Sequence, residues 1–264
     1  MKTLKLFLFF FIITSRAALM AQTDQIDIKV AKEIAWIGDN QVKGPIKGVI
    51  LTFHGLGASE VKSEANEEEL VWANNGYLVI YPYYGPWGWM NRQARDMVNQ
   101  IVEAVYAEYN LPDTTPLLAY GGSMGGFSAI LYSRYAKHPV TACIANCPVT
   151  DIKFHFSERV DLPRTFRVAY WGYDDKTFEE RMAEHNPMDQ VEYMPDIPYF
   201  IMHITGDPAV NKKIHSDRFV AKMRENGKNV TYKEIEGEGH CGPIPDDVHV
   251  EKENFILGFL SGGC

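Results

Sequence analysis

Hydrophobic residues along this chain fall into short apolar runs that alternate with amphipathic stretches. The apolar runs predict buried strands, and a polar, alternating stretch near the start predicts one or two edge strands. The predicted strands are 26–37, 48–53, 77–81, 116–120, 140–145, 199–204 and 229–235. Apolar side chains between the runs recur at helical spacing, as Met97, Ile101 and Val105 do. The predicted helices are 67–73, 92–109, 127–136, 213–224 and 250–260.

Strands that alternate with helices predict an α/β fold with a mainly parallel, doubly wound sheet and helices on both faces. The stretch 148–198 interrupts this rhythm because it is long, aromatic and irregular, and we interpret it as a short cap-like insertion. A chain of 264 residues with 46% hydrophobic content suits one sizeable core. Residues 22–264 are therefore predicted to form a single domain.

The first 21 residues have the layout of a signal peptide. Lys2 and Lys5 precede an apolar run at 6–13, and small residues follow as far as Ala21. The run is too short to span a bilayer, although a membrane anchor is the alternative interpretation. We expect cleavage after this leader, no stable membrane insertion, and an exported protein that works in the periplasm or outside the cell.

A net charge of −8 argues against a nucleic-acid partner, which requires a positive face. The chain has four cysteines without metal-ligand spacing, so we expect neither a metal nor a cofactor. They are Cys143, Cys147, Cys241 and Cys264. Export permits disulfides, but four cysteines allow several pairings, and a bridge between Cys147 and Cys241 is one of them. The pairing and the oligomeric state stay open.

Ser123 is the candidate nucleophile. It lies in the stretch 121–125, Gly-Gly-Ser-Met-Gly, which joins the predicted strand 116–120 to the predicted helix 127–136. A serine hydroxyl is a weak nucleophile at neutral pH, so it must be held exposed beside a base. A tight strand-turn-helix elbow does this, and flanking glycines let the strand and helix approach closely.

The base should be a histidine on a loop after the last strand, because in this architecture the partners follow in the order serine, acid, histidine. His240 meets this condition, since it follows the strand 229–235 in a glycine-rich loop. His249 is a weaker alternative just before a helix. The other histidines lie inside predicted elements, pack a loop or precede the acid: His54, His138, His155, His185, His203 and His215.

Asp207 is the candidate acid, because it stands just past the strand 199–204 and can accept the imidazole N–H. A structural turn aspartate is the alternative interpretation, and Asp151 is the competing acid. For the oxyanion, the Met124 N–H directly follows the nucleophile. The second donor should come from the loop after an early strand, where we choose the Leu56 N–H.

Aromatic residues gather at the end of the strand 77–81 and just after it, where ligands commonly bind α/β sheets. They are Tyr81, Tyr83, Tyr84, Trp87 and Trp89. We predict substrate binding by Tyr83, Tyr84 and Trp87, with Trp171 of the cap as the opposite wall. Tyr173 is a further candidate for that wall. Packing around a turn explains the same cluster equally well.

These residues together resemble the α/β-hydrolase superfamily and, within it, the catalytic domain of prolyl-oligopeptidase-like serine hydrolases, which include dipeptidyl and acylaminoacyl peptidases. The resemblance covers the chain from Gly48 onward. It rests on Gly121-Gly122-Ser123-Met124-Gly125-Gly126-Phe127, Pro148-Val149-Thr150-Asp151, Asn186-Pro187, Pro198, Asp207-Pro208-Ala209-Val210 and Glu238-Gly239-His240. It implies Ser123, Asp207 and His240 as the triad. Too few residues precede Gly48 for the propeller of family peptidases, and the usual oxyanion tyrosine motif is absent from the His54 loop.

We therefore predict a secreted serine hydrolase that cleaves carboxylic esters through an acyl-enzyme, with acyl groups on carbohydrates as a candidate substrate. Its partner would be a small-molecule or oligosaccharide ester. A serine peptidase or aminoacyl hydrolase is the alternative. A catalytically inactive binding protein on the same fold is the third hypothesis, and fold alone does not choose among substrates.

Overall fold

The computed structural model describes residues 25–172 and 174–261. The leader, Tyr173 and Cys264 lie outside the described residues, so the signal peptide and the roles of these two side chains stay predictions. The strands are β1 (Ala35–Ile37), β2 (Gly48–Phe53), β3 (Tyr77–Pro82), β4 (Leu117–Gly122), β5 (Ala142–Asn146), β6 (Tyr199–Gly206) and β7 (Val230–Glu238). Within the described ranges they form one seven-stranded sheet in the order β1-β3-β2-β4-β5-β6-β7.

Helices connect the strands. They are α1 (Ile28–Ile34), α2 (Glu67–Asn75), α3 (Arg92–Glu108), α4 (Met124–Tyr135), α5 (Ile152–His155), α6 (Leu162–Ala169), α7 (Phe178–Glu184), α8 (Pro187–Gln190), α9 (Arg218–Glu225) and α10 (Asp246–Gly258). The helix predicted over 213–224 begins as a π-helical turn, Lys213–Asp217, which leads into α9. None of these helices is both long enough and apolar enough to cross a bilayer.

The sheet is mainly parallel, as predicted: β1 runs antiparallel to β3, and the other neighbouring pairs are parallel. Its two faces are buried in two separate core clusters. Along β2, Leu51 packs into the first cluster together with Val98 of α3, whereas Ile50 packs into the second with Trp72 of α2 and Ile256 of α10. Burial on both faces explains why the strands have nearly continuous apolar sequences.

The prediction of edge strands over 26–37 is wrong for most of its length, because only the last three residues form β1. Asp27 fits the alternation of apolar and polar residues, but its side chain accepts a hydrogen bond of 2.9 Å from the Val30 N–H and caps α1. The apolar side chains then lie at helical spacing, and Ala31 is completely buried in the first core cluster.

The cap segment, residues 148–198, contains four short helices, α5 to α8. Trp89, in the loop after β3, joins this segment to the sheet. Its ring stacks on Phe166 with 4.2 Å between centroids, and its indole N–H donates to the Thr165 hydroxyl over 3.0 Å. The Tyr170 hydroxyl donates to the Trp89 carbonyl over 2.7 Å. The cap segment is therefore packed into the first core cluster.

Phe166→Ala should lower the free energy of unfolding by about 3–5 kcal/mol, because it leaves a cavity beside Trp89. Val168→Ala is the matched control on the same helix, since Val168 is 61% exposed whereas Phe166 is fully buried. Urea denaturation followed by far-UV circular dichroism measures both. Equal midpoints for the two variants would show that the cap segment does not contribute to the common core.

Candidate active site

Ser123 lies on a strained turn between β4 and α4. Its backbone has φ 58° and ψ −124°, in a region that side-chain-bearing residues rarely adopt. The turn is held because the Ser123 N–H donates to the Asn146 carbonyl of β5 over 2.9 Å. The Ser123 side chain forms no capping hydrogen bond to α4, so its hydroxyl is free to face the cavity it lines.

Two glycines make this turn sterically feasible. A Cβ added at Gly125 would lie 2.2 Å from the Phe53 carbonyl oxygen of β2. A Cβ added at Gly121 would lie 2.4 Å from backbone atoms of Gly125. The first turn of α4 therefore contacts β2 and β4 backbone to backbone, which sets the position of Ser123.

Asp207 and His240 are brought together from the loops after β6 and β7. The His240 Nδ1 and Asp207 Oδ2 atoms are 2.7 Å apart, and the Asp207 side chain is fully buried. The other carboxylate oxygen accepts hydrogen bonds from the N–H groups of Ala209 and Val210, over 2.8 and 3.0 Å. Burial alone would raise the pKa of Asp207, but these hydrogen bonds outweigh it and hold the pKa well below its usual range.

His203 contributes to the same network, which the sequence did not indicate beyond a structural role. Its Nε2 is 3.1 Å from the Val210 carbonyl and 3.3 Å from Asp207 Oδ2. Because both neighbours are acceptors, Nε2 carries the proton, and Nδ1 accepts from the Ser216 hydroxyl over 2.6 Å. The sequence held one signal for this contact: His203, on β6, lies four residues before Asp207.

His240 has one nitrogen on Asp207 and the other directed away from it. Burial of the ring favours the neutral form, but the hydrogen bond to Asp207, aided by the nearby Cys147 sulfur, raises the pKa of His240 to about 9. With Nδ1–H facing the carboxylate, Nε2 is the basic nitrogen. His240 and Ser123 line the same cavity, and no hydrogen bond joins them among the residues described. Catalytic hydrogen bonds are often loose before substrate binds.

Two cysteines lie beside this imidazole. The Cys147 Sγ, His240 Nε2 and Cys241 Sγ atoms lie within 4.8 Å of one another. Cys143, Cys147 and Cys241 are free thiols in the described part of the chain. A hydrogen bond from the Cys241 thiol outweighs the effect of burial and lowers the pKa of Cys147, and the same contact raises the pKa of Cys241. Cys147 is completely buried, so a substrate cannot reach it.

The two predicted oxyanion donors have unequal support. Met124 is the first residue of α4, directly after Ser123, so its N–H has no acceptor within the helix, but Met124 is not among the residues that line the cavity. Leu56 lines the cavity together with Ser123, and its N–H donates to no acceptor among the residues that the structure describes. The role of both N–H groups stays a prediction.

The cavity has a volume of about 550 Å³, within the range of small-molecule sites. Its wall is polar and carries charges of both signs. Lys62 is 2.5 Å from Glu69, and Glu68 pairs with the buried Lys252, while Arg159 reaches the cavity from the cap segment. Sequence reasoning missed these side chains, because charged residues on helices (Glu68, Glu69, Lys252) and in loops (Lys62, Arg159) look like ordinary surface.

The aromatic residues predicted to bind substrate do not line this cavity. Tyr84 is buried and stacks on His54 with 4.0 Å between ring centroids. Trp87 packs against the Arg164 guanidinium, 5.1 Å from its ring, and Trp171 is 74% exposed on a different part of the cap segment. Tyr83 faces the His54 ring. The aromatic residues that line the cavity are Phe53, Trp72, Tyr81 and Tyr120, of which Tyr81 belongs to the predicted cluster.

The competing residues have other contacts. Asp151 caps α5 by accepting from the Phe154 N–H over 3.2 Å. His249 is half exposed and lies 4.0 Å from Glu68. The structure thus pairs Asp207 with His240 and neither competitor.

The sheet order and crossing helices are those of the α/β-hydrolase fold, which similar solved structures share. The family model described as the prolyl oligopeptidase family matches residues 87–262, more than half of the chain. The chain therefore belongs to the prolyl oligopeptidase family and is a serine hydrolase. A comparison with curated proteins found no match.

Three similar solved structures illustrate the fold. A Mycobacterium tuberculosis puromycin-hydrolyzing peptidase has 18% identity and a TM-score of 0.66, over 83% of this chain and 34% of its own. Pyrococcus horikoshii acylaminoacyl peptidase has 14% identity and a TM-score of 0.65, over 83% and 38%. Porphyromonas gingivalis dipeptidyl peptidase 4 has 15% identity and a TM-score of 0.63, over 87% and 33%. The chain thus matches about a third of the length of each.

Gly125→Ala should destabilise the protein by about 1–3 kcal/mol, because its methyl group would overlap the Phe53 carbonyl. Gly258→Ala is the control, since a Cβ there meets nothing within 4 Å, and we expect unchanged or slightly higher stability. Thermal unfolding of both variants checks this. A Gly125→Ala protein as stable as the control would contradict the close backbone contact.

Asp207→Asn should lower the pKa of His240 from about 9 to or below its ordinary value of about 6.5, since the imidazolium loses its carboxylate partner. Imidazole NMR signals followed across a pH titration measure this. Asp151→Asn is the control and should leave the His240 titration unchanged. A shift of equal size in both variants would mean that the Asp207 contact does not set the pKa.

Proposed function

We propose that this serine hydrolase cleaves amide bonds of short peptides or aminoacyl amides. The observation that carries the proposal is the match to the prolyl oligopeptidase family over the residues that hold Ser123, Asp207 and His240. The similar solved structures are described as peptidases and puromycin hydrolases, which supports the amide alternative over the ester preference drawn from the sequence.

The cavity wall supports the same choice. Lys62 and Glu69 line it as an ion pair, and Glu68 on the wall pairs with Lys252, which does not line the cavity. We take these polar groups to suit the polar backbone and ends of a short peptide better than a long apolar acyl chain. Of the aromatic residues that suggested acylated carbohydrates, Tyr81 lines this wall but Tyr83, Tyr84, Trp87 and Trp171 do not, so that substrate loses most of its support.

In the proposed mechanism, His240 Nε2 removes the Ser123 hydroxyl proton as the oxygen attacks the substrate carbonyl. The N–H groups of Met124 and Leu56 stabilise the oxyanion, and Asp207 stabilises the imidazolium. His240 then donates its proton to the departing amine, which is a poor leaving group until it is protonated. Water, deprotonated by His240, attacks the acyl-enzyme and regenerates Ser123.

Matched substrates test the proposal. For one dipeptide acyl group, kcat/KM is compared between its p-nitroanilide and its ester, with an acetylated oligosaccharide as a third substrate. We expect the wild type to cleave the amide much faster than Ser123→Ala does. The kcat/KM of Ser123→Ala should be lower than that of the wild type by about 10⁴-fold or more. Fast ester cleavage, with amide cleavage no faster than Ser123→Ala, would overturn the peptidase proposal in favour of an esterase.

The exposed serine variant Ser157→Ala is the matched control and should keep the wild-type rates. A fluorophosphonate probe, which labels activated serines, should label the wild type and Ser157→Ala but not Ser123→Ala. If the wild type were not labelled, the inactive-binding-protein hypothesis would replace both enzyme hypotheses.

A further inference from the structure

Four groups of side chains in the described ranges bring three metal-ligating atoms within 4.8 Å of one another. In three of them the ligand atoms are already engaged. His215 accepts two backbone N–H groups at Nδ1, so its Nε2 is protonated and donates to Glu158. His203 uses both nitrogens within the Asp207 network. Glu68, in a group with His249 and Glu253, is neutralised by Lys252.

In the fourth group, Cys147, His240 and Cys241, the ligand atoms mainly contact one another, and the Cys241 thiol also lies 3.6 Å from the Asn146 carbonyl. Its members are two thiols and an imidazole, the donors that zinc and cadmium prefer. The His240 Nε2 and Cys241 Sγ atoms are 3.6 Å apart. Tetrahedral zinc, with Zn–S of about 2.3 Å and Zn–N of about 2.0 Å, places these two ligand atoms about 3.5 Å apart. The pair therefore has the separation that a shared metal ion requires.

The hydrogen bond from His240 Nδ1 to Asp207 supports the same assignment. Histidines that bind metals commonly donate their other N–H to a carboxylate, which fixes the tautomer and orients the ring. The Asp207 side chain is fully buried and lies 2.7 Å from Nδ1, so the lone pair of the neutral ring is on Nε2, which is 3.6 Å from Cys241 Sγ. The contact that suits His240 to act as a base therefore also suits it to bind a metal.

The backbone holds both sulfurs at this position. Cys147 and Cys241 have φ of 44° and 61°, outside the extended and helical regions. The Cys147 N–H donates to the Met202 carbonyl over 2.7 Å, and the Asn146 amide donates to the Cys241 carbonyl over 2.9 Å. The ends of β5 and β6 and the histidine loop are thereby tied together around the three ligand atoms.

We propose that Cys147, His240 and Cys241 form a binding site for a thiophilic divalent cation such as zinc or cadmium, and that the bound cation inhibits the hydrolase. On binding, each thiol forms a metal–sulfur bond and releases its proton to solvent. Three protein ligands leave the fourth position to water. Inhibition follows because the metal takes the Nε2 lone pair; this part alone rests on the proposed role of His240 as base.

Cadmium binding tests the site without any turnover. The full chain is reduced with a phosphine and titrated with cadmium, and the ultraviolet charge-transfer band of cadmium thiolates is recorded together with calorimetric stoichiometry. We expect one tight equivalent in the wild type. Cys147→Ser and Cys241→Ser should each weaken binding by at least about 100-fold and reduce the band. His240→Gln should weaken binding while retaining thiolate absorbance.

Cys143→Ala is the matched control, because Cys143 is a buried cysteine of β5 outside the cluster. It should bind cadmium as the wild type does. Cys264 is retained in every protein, so its contribution cancels. Equal affinity in the wild type and Cys147→Ser would overturn the proposed site, whatever the enzyme assay shows.

The inhibition is tested separately. Zinc should inhibit the wild type and Cys143→Ala at concentrations that match occupancy of the site, and a chelator should restore the rate. Cys147→Ser, compared with its own zinc-free rate, should need at least about 100-fold more zinc. Tight binding at the three residues without inhibition of measurable hydrolysis would overturn the inhibitory part and the role of His240 together, and would leave the metal site established.

Discussion

The first turn of α4 lies so close to β2 and β4 that no side chain fits between them. Gly125 faces the Phe53 carbonyl, and Gly121 faces Gly125, with room for hydrogen atoms only. This contact fixes where the helix begins, and with it the strained backbone of Ser123. Because parallel strands all end on the same edge of the sheet, the loops that carry Asp207 and His240 reach the same place.

A buried carboxylate organises those two loops. Asp207 accepts hydrogen bonds from His203, His240 and two backbone N–H groups, so its negative charge is compensated by donors from β6 and from the histidine loop. The charge in turn decides the tautomer of His240. Its second nitrogen is the base in the mechanism we propose and the metal ligand in the cation site we propose. One geometry thus supports two chemistries that exclude each other.

The sequence predicted the central strands because burial on both faces makes them continuously apolar, and chain order predicted the residues that the structure brings together at the strand ends. Local pattern failed where a single capping residue decided the outcome, as Asp27 did for α1. The sequence predicted that Tyr83, Tyr84 and Trp87, after β3, bind substrate, but none of them lines the cavity. Composition does not tell whether a ring such as that of Tyr84 packs inside the protein. The sequence allowed a bridge between Cys147 and Cys241 as one pairing among several, but it could not show that the two are free thiols beside His240, which depends on tertiary structure.

The anchoring of the cap segment has a consequence for how substrates are admitted. Trp89 joins this segment to the sheet through a stacked ring and two hydrogen bonds inside the core, so moving it would break packed contacts. Arg159 reaches the cavity from this same segment, whose helix α6 is packed into the first core cluster. We therefore expect the cap segment to keep its contacts with the sheet when substrate binds, so that the shape of this part of the cavity exists before the substrate arrives.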